Sequence, residues 1–205
     1  MRDLSADTDL RYLSLNTGTV RAQDDLLSIM EAAQRHGISV ISPWRDQVAA
    51  VGLDRVVAAV RDGGFSLSGY CRGGLFPADA AHRDEVRDDN RRAVDEAPLR
   101  RADAHALADE VPRELARDAM DGMPLALEPL HPMMAPERSC LCTLRQALDL
   151  CDAIDPERSG GLGIALDVYH VWWDFEVMPQ IERMGADRML AFHVCDWLVP
   201  TTSVL

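Results

Sequence analysis

The sequence predicts an α/β fold, a parallel (β/α) barrel in which about six of the usual eight strand–helix units can be read. Three observations predict it. Short apolar runs alternate with longer amphipathic ones along the 205 residues, the order expected of parallel strands joined by right-handed helical crossovers. The short runs are apolar on both faces, as in a sheet covered by helices. Their ends also recur regularly, near residues 16, 42 and 71 and again near 130, so that one unit spans 26 to 29 residues and the long interval holds two.

Residues 10–16 (LRYLSLN) read as the first strand. Leu26, Ile29, Met30 and Ala33 share one helical face within residues 23–36, and Gly37 supplies a stop. Residues 38–42 (ISVIS) read as a second strand closed by Pro43, and residues 46–61 as a helix interrupted at Gly52 and ended by Gly63. Residues 65–71 (FSLSGYC) read as the third strand. The stretch 72–123 holds no strand-like run; it is charged and Ala-rich and reads as two solvated helices back to back, with a strand deleted near 97–101. The pattern resumes at 125–130 (LALEPL). A helix follows near 139–154, with Leu144, Ala147, Leu148 and Cys151 on one face. Then come a strand at 163–171 (GIALDVYHV), a helix near 175–184 and a strand at 189–195 (MLAFHVC). The expectation is one domain over residues 1–205, a TIM-type barrel without its fourth and eighth strands and shortened at the C terminus.

Composition narrows the function. The chain is 47% hydrophobic and 27% charged, ordinary for a soluble domain of this size. Its net charge of −13 repels phosphate backbones and anionic membranes, so neither nucleic acid nor a membrane is an expected partner. No apolar run approaches the roughly 20 residues of a membrane span, and the acidic N terminus, MRDLSADTDLR, does not read as a signal peptide. Five cysteines without CxxC spacing argue against a disulfide framework or a zinc–cysteine site, so a cytoplasmic location is expected. Cys71 and Cys195 lie in apolar runs and are expected to be small buried thiols.

The chemistry concentrates in three ionisable residues inside apolar strands: Glu128 in LALEPL, Asp167 in IALDVYH and His193 in LAFHVCD. A buried lone charge is costly and needs a partner or an ion. One such residue is as readily a satisfied core polar group, whereas three toward the C-terminal ends of successive strands point to a site. Two carboxylates and an imidazole suit a divalent metal, Mn²⁺, Mg²⁺, Co²⁺ or Zn²⁺. His170 follows Asp167 by three residues and His131 follows Glu128 by three, so either can reach a substrate over the barrel mouth or orient a ligand from behind. Trp44, Trp172, Trp173 and Trp197 fall just past strand ends, where they either cap the core or form an aromatic wall that stacks on a sugar. The glycine-rich stretch 160–163 (GGLG) precedes a strand rather than following one, so it is not a nucleotide-binding loop.

Together the segments LEPLHP (127–132), LDVYHVWWD (166–174) and FHVCDW (192–197), with the SPWR turn at 42–45, resemble the sugar phosphate isomerase/epimerase family of xylose isomerase-like barrels. The resemblance implies that Glu128, Asp167 and His193 are three of four metal ligands, the fourth being a glutamate of the eighth strand. It implies that Glu128 is also a catalytic acid/base and that His170 contacts substrate. The implied activity is metal-dependent isomerisation or epimerisation of a small sugar, sugar phosphate or related polyol by proton abstraction α to a carbonyl. The alternatives are a keto-inositol-type dehydratase of the same superfamily and a catalytically inactive truncated barrel. The superfamily's DNA-cutting branch needs a basic groove, which the charge opposes. Unpaired strand edges in an incomplete barrel leave room for a homo-oligomer.

Overall fold

The structure is a computed structural model, and it describes residues 10, 12–71, 85, 88, 89, 92, 124–135 and 138–195. Among these, six strands form two three-stranded parallel sheets. The first joins β1 (Ser14–Asn16), β2 (Val40–Ser42) and β3 (Ser66–Leu67), and the second joins β4 (Leu125–Leu127), β5 (Leu162–Asp167) and β6 (Met189–His193), each in sequence order. Sequential parallel strands linked by helices are the arcs of a TIM-type (β/α) barrel.

Side-chain caps open several of the helices. The Asp25 carboxylate accepts the Ser28 N–H at 2.9 Å and opens α1 (Leu26–Arg35). A capping box between Thr143 and Gln146 opens α4 (Leu144–Ile154). The buried faces of the helices then meet the strands. Leu26, Met30 and Ala33 of α1 pack with Ile41 of β2, and Leu144, Leu148 and Cys151 of α4 pack with Leu125, Leu127, Leu162, Ile164 and Leu166 of the second sheet. No helix among the described residues is long and apolar enough to cross a membrane.

The interruption expected at Gly52 is present: Gly52 takes φ 96°, a conformation that favours glycine, between α2 (Arg45–Val51) and α3 (Leu53–Asp62). Several elements differ from expectation for identifiable reasons. The third strand is pared to two residues and rejoins the sheet only through a Trp44–Cys71 bridge. The fifth strand ends at Asp167 because its carboxylate caps a helical turn, α5 (Val168–Val171), accepting the Tyr169 N–H at 2.8 Å. The last helix, α6 (Val177–Arg188), runs past the expected end with a kink at Gly185. Cys71 is buried, but Cys195 is exposed, since no described element covers the chain just beyond β6. The deletion expected near 97–101 lies outside the described residues.

The N-terminal edge of the second sheet is tied by one buried cation. Arg188 is only 1% exposed. Its Nη1 donates to the Asp155 carboxylate and to the Leu162 carbonyl, both at 2.8 Å, and its Nη2 donates to the Asp155 carbonyl. The contacts join the end of α4, the start of β5 and the turn from α6 into β6. Burial pushes the Asp155 carboxyl up, but hydrogen bonds from Ser159 and Arg188 outweigh it and hold the group below its ordinary value.

Removing one partner of such a pair strands the other charge in the interior. Arg188→Met should therefore destabilise the fold by about 3–5 kcal/mol in urea denaturation. Because the folded Asp155 value is depressed, its contribution is present above the unfolded carboxylate value, about 3.9, and is lost as pH falls below it. An Asp155→Asn variant should lack that part of the acid sensitivity, which thermal melts between neutral pH and pH 3 would show.

Candidate metal centre at the strand ends

Alternation along the strands sorts the site from the core. Leu125, Leu127, Leu162, Ile164 and Leu166 face α4 and α6, so Glu128 after β4 and Asp167 at the end of β5 belong to the opposite, axial side. The β5–β6 register pairs Asp167 directly with His193. His193 Nδ1 lies 3.4 Å from Glu128 Oε1 and 3.8 Å from Asp167 Oδ2. Glu128, Asp167 and His170 each offer a ligand atom within 4.8 Å of the others. The fold thus gathers all four of these residues, from positions up to 65 apart in sequence.

The electrostatics suit a cation. Burial, and then the charge of Glu128, raises the Asp167 carboxyl above its ordinary value. For His193 burial favours the neutral form, but the hydrogen bond and charge of Glu128 and the charge of Asp167 outweigh it, and the net shift is upward. Two carboxylates crowd one imidazole ring, and a divalent ion would relieve the repulsion between them. Two carboxylates and an imidazole also match the donor preferences of Mn²⁺, Mg²⁺, Co²⁺ and Zn²⁺. Cys71 is a poor additional ligand: burial, opposed by the Ser42 hydrogen bond and reinforced by Glu128, pushes its thiol up to about 12.

His170 presents a different case from His193. Its Nδ1 accepts the main-chain N–H of His131 at 3.1 Å. An amide can only donate, so a neutral His170 carries its proton on Nε2. One nitrogen is occupied and the other protonated, which makes His170 a hydrogen-bond donor rather than a ligand while that contact holds. Burial lowers its value and favours the neutral ring. The Trp173 indole N–H donates to the His170 carbonyl at 2.8 Å, and Tyr169 packs edge-on at 5.0 Å.

An aromatic wall stands beside these groups. The His131 ring stacks on Trp172 at 6.4 Å and meets Trp173 edge-on at 5.9 Å. His131 Nδ1 accepts the Met133 N–H at 3.2 Å, and Trp172 is 68% exposed. Trp44 lies on the first sheet, and its indole N–H is taken by Asn16 Oδ1 at 2.6 Å. Gly18 packs so closely on that indole that a Cβ there would come within 2.5 Å of Nε1. The Arg21 guanidinium covers the ring at 5.1 Å from its centroid. Trp44 is therefore a fixed wall and offers no polar handle. Trp197 lies outside the described residues. Two contributors escaped the sequence reading: Asn16, which orients Trp44, and the tautomer-setting main chain of His131. Neither carries a local signal, since both act across different elements.

A Mn²⁺ titration followed by calorimetry or electron paramagnetic resonance tests the ligand set. Glu128→Gln and His193→Ala should each weaken binding by more than the roughly 10-fold typical of losing an outer-shell partner, and His170→Ala by less. Because Asp167 and His193 both hold protons more tightly than usual and must release them to bind metal, affinity should fall as pH drops below neutral.

Comparison with known proteins places the chain. Residues 30–205 match the profile of the family described as xylose isomerase-like TIM barrel. A crystal structure of protein SMc04130 from Sinorhizobium meliloti 1021 is 43% identical with a TM-score of 0.80, covering 96% of this chain and 78% of its own. The IOLI protein with a bound zinc atom is 15% identical with a TM-score of 0.70, covering 90% of this chain and 72% of its own. The 3-keto-D-glucoside 4-epimerase YcjR from E. coli is 15% identical with a TM-score of 0.64, covering 84% of this chain and 74% of its own. No curated protein sequence matches the chain. The strand-end carboxylates and histidines, the parallel sheets and the profile spanning most of the sequence agree, and the chain belongs to the xylose isomerase-like TIM barrel family.

Proposed function

We propose that the chain is a divalent-metal-dependent isomerase or epimerase of a small sugar, sugar phosphate or related polyol. The observation that carries this reading is the convergence of Glu128, Asp167 and His193 at the strand ends, with His193 Nδ1 3.4 and 3.8 Å from the two carboxylates. The zinc in the IOLI structure and the epimerase activity named for YcjR support it by analogy of fold.

Glu128, Asp167 and His193 would hold the metal, which when bound supplies Lewis-acid polarisation of a carbonyl and stabilises the enediolate. Glu128 would take the proton α to that carbonyl and could return it to the neighbouring carbon, completing an isomerisation; its partial burial limits exchange of that proton with water. His170, held as a donor by the His131 main chain, gives a hydrogen bond to a substrate oxygen. The exposed face of Trp172, backed by His131, would stack on the carbon skeleton. The net charge of −13 disfavours a nucleic-acid substrate. It leaves anionic sugars dependent on the metal and on local donors.

The test is proton exchange. With Mn²⁺ present, a panel of ketoses, ketose phosphates and 3-keto-glycosides in heavy water should show deuterium entering at the carbon α to the carbonyl. Glu128→Gln should slow that exchange by about 10² or more. Trp172→Ala should raise KM with little change in kcat. Loss of water from the substrate would move the assignment to a dehydratase, and no exchange across the panel would sink it.

A further inference from the structure

We propose that Gly163 is a positioning residue for the metal centre: its missing side chain admits the one-residue bulge of β6 that sets His193, instead of Phe192, opposite Asp167. The inference rests on the metal-centre reading above.

The ladder between β5 and β6 is not uniform. Ile164 pairs with Met189, but Ala165 pairs with Ala191, so Leu190 is an extra residue on β6. Beyond it the pairing continues as Leu166 with Phe192 and Asp167 with His193. Without the bulge, Asp167 would meet Phe192. A one-residue slip turns every later side chain to the other face, which would replace the imidazole beside the carboxylates with a phenyl ring. Bulges re-aim side chains in this way beside functional sites.

The bulge needs space, and Gly163 supplies it. A Cβ at 163 would lie 2.5 Å from the Arg188 carbonyl oxygen and 2.7 and 2.9 Å from Leu190 Cγ and Cδ1. The Leu190 side chain can turn away, but the Arg188 main chain cannot easily retreat. Its own side chain is held by the Asp155 carboxylate and by the Leu162 carbonyl, the residue next to Gly163. A methyl group at 163 therefore pushes the start of β6, four residues before His193. The glycine opens the strand read from the sequence at 163–171, and in the structure it lies inside β5 with both neighbours buried.

The experiment compares wild-type and Gly163→Ala chains, metal-free, by the ¹H–¹⁵N signals of their imidazole rings, and then by Mn²⁺ titration. The ring signals of His193 should move, whereas those of His170, on a separate turn, should not. Mn²⁺ binding should weaken by about 10–100-fold. In a His193→Ala background, Gly163→Ala should cause no further loss, because both changes act through the same ligand. Unchanged His193 signals in a folded Gly163→Ala protein overturn the proposal, and so does an equal further loss of Mn²⁺ binding without His193. If Gly163→Ala alone does not fold, adding Leu190→Gly removes the two side-chain contacts. The folded double variant should still show displaced His193 signals from the remaining Arg188 carbonyl contact, and wild-type signals there overturn the idea. A wild-type chain that binds no Mn²⁺ would sink the metal reading alone, since the metal-free ring spectra still decide the role of Gly163.

Discussion

The buried Arg188–Asp155 pair is the contact on which the second half of the barrel depends. It joins the end of α4, the start of β5 and the turn into β6 at the N-terminal edge of the sheet. Parallel strands have no hairpin to set their register; each is placed by a crossover and by what its ends touch. Here a guanidinium with fixed fork geometry reads the main chain of two elements together, a task a flexible ammonium would do poorly. The cost of burying the charge is offset by several hydrogen bonds, and a pair of this kind adds specificity of arrangement more than net stability.

Everything at the other end of the sheet follows from that anchoring. The Asp167–His193 pairing is a matter of register, and register is decided several residues earlier, at the Leu190 bulge. The barrel separates the two jobs physically. Charges at the N-terminal edge are paired, Arg188 with Asp155, and charges at the C-terminal edge are crowded, with Glu128 and Asp167 both facing one imidazole. Under the proposed function a divalent cation would offset that crowding.

The histidines show how main-chain contacts assign chemistry to similar side chains. His193 gains a proton more readily beside its carboxylates, whereas burial favours the neutral form of His170, whose Nδ1 accepts the His131 N–H. His131 serves both, through its amide to His170 and through its ring to Trp172.

The sequence by itself determined the fold class and the four residues that converge. Glu128, Asp167 and His193 were legible because an ionisable residue inside an apolar strand has no cheap explanation other than a partner, and His170 was legible as the histidine three residues beyond Asp167. Gly52 was legible as an interruption, since glycine alone favours the conformation found there. What only the tertiary structure decided are relations between elements far apart in the chain. Arg188 looks like an ordinary cation at a helix end, and its burial depends on Asp155 and Leu162 arriving from elsewhere. Cys195 looks like a core thiol, and its exposure depends on what lies beside β6. The tautomer of His170, the engagement of the Trp44 indole N–H and the bulge that aims His193 are likewise absent from any local pattern. Periodicity records which face a residue takes within its own element, whereas register and hydrogen-bond partners are settled only when the elements pack.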